Sequence, residues 1–282
     1  MDNATTEPHA TEHKPRILAR VFYNKSKLHW CVALSLKVIA AAIGILLVLT
    51  HFNSPAIPVL VFGLAVFSEF VQWRSDVNKG CAESLTRKIE YHNGFNWNIA
   101  DKDVRDNLLK VSAKTRKYVA GSIEENYFAS QREVSPKRAI ENLRESAWWS
   151  SHLTGTMIWF ASITLAVLLL VSLVTLIYAI GAISDKDALA STSRVVTATL
   201  SLLLSLGFFK LISGYTGFKL KLEQVEQSCA NALKSNTLTE VEALRLLHEY
   251  HLARASAPLI PDIVWKMRKE TLNELWSQYP RD

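Results

Sequence analysis

The feature that most constrains this chain is a run from Leu153 to Ser184 that holds no Asp, Glu, Lys or Arg. A helix needs only about 20 apolar residues to cross the hydrocarbon core of a bilayer, and a helix apolar on every face has no polar side to turn to water. A second uncharged block, Val195 to Phe209, becomes a full crossing when extended past Lys210 to Ile212. Two earlier blocks pair as a hairpin: Trp30 to Thr50, interrupted by Lys37, and Pro55 to Trp73, interrupted by Glu69. The expectation is an all-α integral membrane protein. Four transmembrane helices form two hairpins, with a helical cytosolic region built from the central insert and the C-terminal tail. The boundaries read as 1–29 for an N-terminal arm, 30–73 and 152–212 for the hairpins, 74–151 for the insert and 213–282 for the tail.

Charge placement sets the expected direction. Hydrophobic residues make up 49% of the 282, and the charged 21% fill the stretches between the apolar blocks. Lys14, Arg16, Arg20, Lys25 and Lys27 precede the first block; Arg74, Lys79, Arg87 and Lys88 follow the second. Lys137, Arg138 and Arg144 precede the third, and Lys219 and Lys221 follow the fourth. By the positive-inside rule both termini lie in the cytosol, and Trp30, Trp73, Trp148 and Trp149 fall at the cytosolic boundary where indoles anchor. The expected location is a membrane, multi-pass. The formal charge of +6 is small for a nucleic-acid binder of this size, so genomic DNA is not an expected partner. Cys31, Cys81 and Cys229 are odd in number and form no C-x-x-C pair, which reads as free thiols in a reducing compartment.

Outside the blocks the chain reads as helical. Asp101 opens a stretch with Val104, Leu108, Leu109 and Val111 near one face. Ser135-Pro136 has an N-cap residue followed by proline at the first helical position, and its pattern runs on through Ile140, Leu143 and Trp148 as one long helix. In the tail a helix near Leu220 to Leu233 is followed by a second, capped by Thr237 or Thr239, from about Glu240 to Ala255. Pro258 and Pro261 break it, and a last helix carries Ile263, Met267, Leu272 and Trp276.

Catalytic motifs are not evident, and the chain does not read as an enzyme. No glycine loop for phosphate and no G-x-S-x-G elbow occurs among the 10 glycines. His248-Glu249-Tyr250-His251 has its histidines three apart instead of the four of a metalloprotease helix, and no third ligand is evident. Neither a metal nor a cofactor is expected. The ionisable groups inside the blocks are more telling, since charges there cost several kcal/mol unless paired, hydrated or snorkelled. Lys37, Glu69 and Lys210 are candidate pore-lining residues, Lys37 and Glu69 as a pair or part of a charged ring; snorkelling is the plainer reading. Thr197, Ser201 and Ser205 recur every four residues and share a face that either lines an aqueous path or packs closely against another helix. Candidate groups for a phosphorylated ligand are Arg87, Lys88, Lys114, Arg116, Lys117, Arg132, Lys137, Arg138 and Arg254; acidic headgroups are the competing partner.

Two stretches resemble a known family. Tyr127-Phe128-Ala129-Ser130 followed by Lys137-Arg138-Ala139-Ile140-Glu141-Asn142-Leu143-Arg144-Glu145-Ser146-Ala147-Trp148-Trp149 is similar to a segment of the SMODS-associating four-transmembrane effectors. So is the tail: Leu246-Leu247-His248-Glu249-Tyr250, Arg254, Ala257-Pro258-Leu259-Ile260-Pro261-Asp262, Arg268 and Trp276, with His248 where the family has Gln. Arg20-Val21-Phe22-Tyr23 fits as well. The resemblance implies a bacterial antiphage effector of abortive infection. In that family a nucleotide or oligonucleotide signal from a cognate nucleotidyltransferase controls a homo-oligomer that breaches the inner membrane. A tetramer is one of the closed rings open to such a chain. The expected function is thus a cytosolically gated, homo-oligomeric pore or channel in the lipid bilayer. The alternative is a membrane-anchored sensor or scaffold whose activity lies in the cytosolic helices.

Overall fold

A computed structural model describes residues 14–50, 56–122, 128, 130–182, 207–235 and 237–279, with the side chains of the fifth helix described continuously only as far as Val167. These residues form α1 (Pro15–Thr50), α2 (Ala56–Phe95), α3 (Asp101–Leu109), α4 (Ala113–Gly121), α5 (Pro136–Ala182), α6 (Phe208–Lys234), α7 (Glu240–Ser256) and α8 (Asp262–Ser277).

Local chemistry accounts for where several helices begin. Ser112 opens α4 by accepting a hydrogen bond from the Thr115 amide at 3.3 Å. Ser135 opens α5 in the same way, taking the Arg138 amide at 3.3 Å. Thr239 and Glu242 form a reciprocal capping box at α7, each satisfying an amide that the helix leaves unbonded. Gly207 precedes α6 at φ +67°, a left-handed conformation that costs glycine little.

α1 and α2 run antiparallel and are joined at Ser26 and Ser75. Both serines are 0% exposed, and each hydroxyl donates to the other's carbonyl, at 2.9 and 2.8 Å. Small side chains at the crossing let the two backbones approach. Below it, α3 and α4 close a core on the same pair: Leu18 and Phe22 of α1, Leu85 and Ile89 of α2, Val104 of α3 and Val119 of α4.

The second core joins α5, α6 and α7 through Ile140, Leu143, Leu222, Val225, Cys229, Leu247 and Tyr250. α2 reaches it at its C-terminal end. A Cβ on Gly94 would stand 2.6 Å from the Ala139 Cβ, so only glycine lets α2 come this near α5. The third core sets α8 against α5 and α6 through Trp148, Tyr215, Val264 and Leu272.

Among the described residues no helix is long and apolar enough to cross a membrane. This corrects the expectation of four transmembrane helices in two hairpins, and with it the multi-pass inner-membrane location and the pore or channel. The run in α1 is broken by Lys37 and that in α2 by Glu69, so each of those helices carries a charge inside its apolar block. The fourth expected span, 195–212, falls almost wholly outside the described residues. Trp148, expected as a boundary anchor, is 4% exposed and packs on Trp276 and Tyr279 at centroid distances of 5.1 and 5.8 Å. The all-helical character stands.

Candidate functional site

The most densely connected polar group of the bundle is Arg254, in the last turn of α7. Its Nε lies 3.3 Å from Glu83 Oε1, and Nη1 donates to Glu90 Oε1 at 3.4 Å. Nη2 donates to the Tyr23 hydroxyl at 2.7 Å. The guanidinium also sits 5.3 Å from the Tyr23 ring centre and 5.8 Å from that of Tyr250. One side chain thereby ties α1, α2 and α7 together. The Glu83 and Glu90 side chains are 12% and 10% exposed, so these charges meet with little water between them.

Electrostatics at this hub follow from its burial. Burial opposes the charge on Arg254, but Glu83, Tyr23, Tyr250 and Glu90 outweigh it and hold its pKa well above the ordinary value. Burial pushes the Tyr23 phenol well up; Arg254 pulls the other way and Glu83 adds to the rise. Lys79 is pulled down by burial, against Glu83 and Asp76. Its ammonium donates to the carbonyls of Ala255 and Ala257 at 2.7 and 2.5 Å, satisfying the C-terminal end of α7, where helical carbonyls lack amide partners. Burial raises Tyr250 to about 12, with Arg254 opposing.

Tyr250 gives the hub a pH signature. The folded state keeps its proton to higher pH than the unfolded chain, where tyrosine titrates near 10. Its contribution is therefore fully present below about pH 10 and is lost as pH rises toward 12. Urea denaturation is expected to show a decline on the order of 2–3 kcal/mol from this group across that window. Tyr250→Phe is expected to flatten that decline.

The other expected site residues are dispersed. Lys37 and Glu69 form an ion pair at 2.7 Å between α1 and α2, with Glu69 68% exposed. Thr197, Ser201 and Ser205 lie outside the described residues, and Lys210 is exposed in the first turn of α6. Lys88 pairs with Asp103 at 2.5 Å and Arg132 with Glu141 at 2.6 Å. Arg116 donates to the Val111 carbonyl at 2.9 Å, closing the turn between α3 and α4. Arg138 is half-buried with Nε unbonded among the described residues. Arg87, Lys114 and Lys117 are exposed, Lys137 is half-buried, and none of the four makes an ion pair among the described residues. His248 is exposed while His251 is 5% exposed, so the two histidines do not share an environment. No group of three metal-ligating side chains occurs among the described residues.

Sequence reasoning placed Arg254 among candidate ligand groups and did not name Tyr23, Glu83, Glu90 or Tyr250 as its partners. The available signal was the burial of charge: Glu83 and Glu90 are seven apart, two helical turns, and share one face of α2. The chain matches no protein-family model, no curated protein and no solved structure.

Proposed function

We propose that this chain is a homo-oligomeric sensor and scaffold whose activity lies in its helical bundle, controlled by a nucleotide or oligonucleotide from a cognate nucleotidyltransferase. The observation that carries the reading is the Arg254 hub. It fastens the tail helix α7 to α1 and α2 through charges that are costly to separate. The candidate groups for the phosphorylated ligand are the exposed cations Arg87 of α2 and Lys114 and Lys117 of α4, two helices that share a core with α1. The family resemblance of the tail and of the entry to α5 supports the antiphage setting and the nucleotide class.

A second observation favours self-association. Val59, Phe62, Val66, Phe70, Trp73 and Val77 follow one another every three or four residues along one face of α2, and each is between 43% and 71% exposed. A monomer seldom leaves so continuous an apolar stripe uncovered, and a second copy of the chain offers a surface to match it.

The test is mass photometry of the full chain with linear and cyclic oligonucleotides. The expected result is saturable binding with a change in subunit number. The triple variant Arg87→Glu, Lys114→Glu, Lys117→Glu is expected to lose at least about tenfold in affinity, since three charge-assisted contacts are removed. A uniformly monomeric chain that takes up no nucleotide rejects the proposal.

A further inference from the structure

Where α2, α5 and α7 meet, a small cavity of about 10 Å³ is lined by Glu90, Phe128, Ala139, Asn142, Leu143 and Leu247. That is the space of about one water molecule. Asn142 is 6% exposed, and its Oδ1 has no hydrogen-bond partner among the described residues. Beside it, Glu90 turns Oε1 to Arg254, while Oε2 stands 3.2 Å from His251 Nε2. The His251 ring is itself buried, and neither of its nitrogens is hydrogen-bonded among the described residues. Leaving a buried acceptor unsatisfied costs about 1–3 kcal/mol, and native interiors meet such groups with protein or with ordered water.

The cavity thus presents an amide oxygen and a carboxylate, both acceptors. What satisfies both at once must carry two donors and fit a space of water size. A cation meets the size requirement, but it would face the Arg254 guanidinium across Glu90. We infer that one ordered water occupies this cavity, donating to Asn142 Oδ1 and to the Glu90 carboxylate. It extends the Arg254 hub from α1, α2 and α7 to α5, so that every helix around the junction shares one polar network.

The experiment uses the full chain with 15N-labelled asparagine. A rotating-frame cross-peak between water and the Asn142 side-chain amide, of the sign given by a long-lived bound water, is expected. Asn142→Leu is expected to lower the folding equilibrium constant roughly tenfold, because it removes one of the water's two acceptors and leaves the buried Glu90 carboxylate without that donor. In a dry cavity the same substitution deletes an unsatisfied polar atom and raises stability. A folded wild-type chain without the water cross-peak, or an Asn142→Leu variant more stable than wild type, overturns the inference.

Discussion

Arg254→Met is expected to lower stability by about 3–5 kcal/mol. The methionine keeps the aliphatic stem only as far as the position of Nε and loses the guanidinium, whose contacts with the Tyr23 and Tyr250 rings go with it. What it removes is the positive charge that Glu83 and Glu90 face, at 3.3 and 3.4 Å, with side chains 12% and 10% exposed. Taking away one partner of a buried ion pair leaves the other desolvated and uncompensated, and that is where the cost arises. The check is the urea midpoint of the full chain. The triple variant Arg254→Met, Glu83→Gln, Glu90→Gln is expected to recover most of the loss, because the stranded charges are gone. A loss of under about 1 kcal/mol in the single variant would place these pairs in the class of screened surface bridges.

Leu222→Ala is expected to cost about 2–5 kcal/mol by a different route. Leu222 is 0% exposed in α6, and its neighbours in the core come from α5, α6 and α7: Ile140, Leu143, Val225 and Leu247. Three helices converge on it, so the cavity left by truncation does not close by moving a single element, and the lost contacts add to the lost transfer energy. Leu220, two residues earlier and 56% exposed, is the internal control: Leu220→Ala is expected to stay within about 0.5 kcal/mol of wild type. Thermal unfolding of the pair of variants separates the two positions.

Helix starts were legible in the sequence because they are decided within four residues. Ser135-Pro136 and Thr239, one of two candidate caps with Thr237, act through their own side chains on nearby amides, and the structure begins α5 and α7 there. The packing face of α8 was less legible. Ile263, Met267, Leu272 and Trp276 make an apolar stripe, yet Ile263 and Met267 are 65% and 57% exposed while Val264 is 3% exposed. Two lines of apolar residues lie a small rotation apart on that helix, and the contact with Trp148 and Tyr215 chooses between them. The partners of Arg254 lie 231 residues away at Tyr23 and 164 away at Glu90. No periodic pattern reaches that far, so the hub was visible only as Arg254, one of the candidate cations for a phosphorylated ligand. The charge-free run from Leu153 to Ser184 illustrates the opposite error: composition over one window fixed an expectation about the whole chain's surroundings that no helix among the described residues meets.

Polar contacts hold α1 at three levels along its axis, with the Ser26–Ser75 crossing between the other two. Tyr23, gripped by Arg254, stands three residues from the crossing, about 4.5 Å along the helix; Lys37, paired with Glu69, stands eleven residues beyond it on the other side, about 16 Å. Of these three ties the Lys37–Glu69 pair stands furthest along α1 from Arg254.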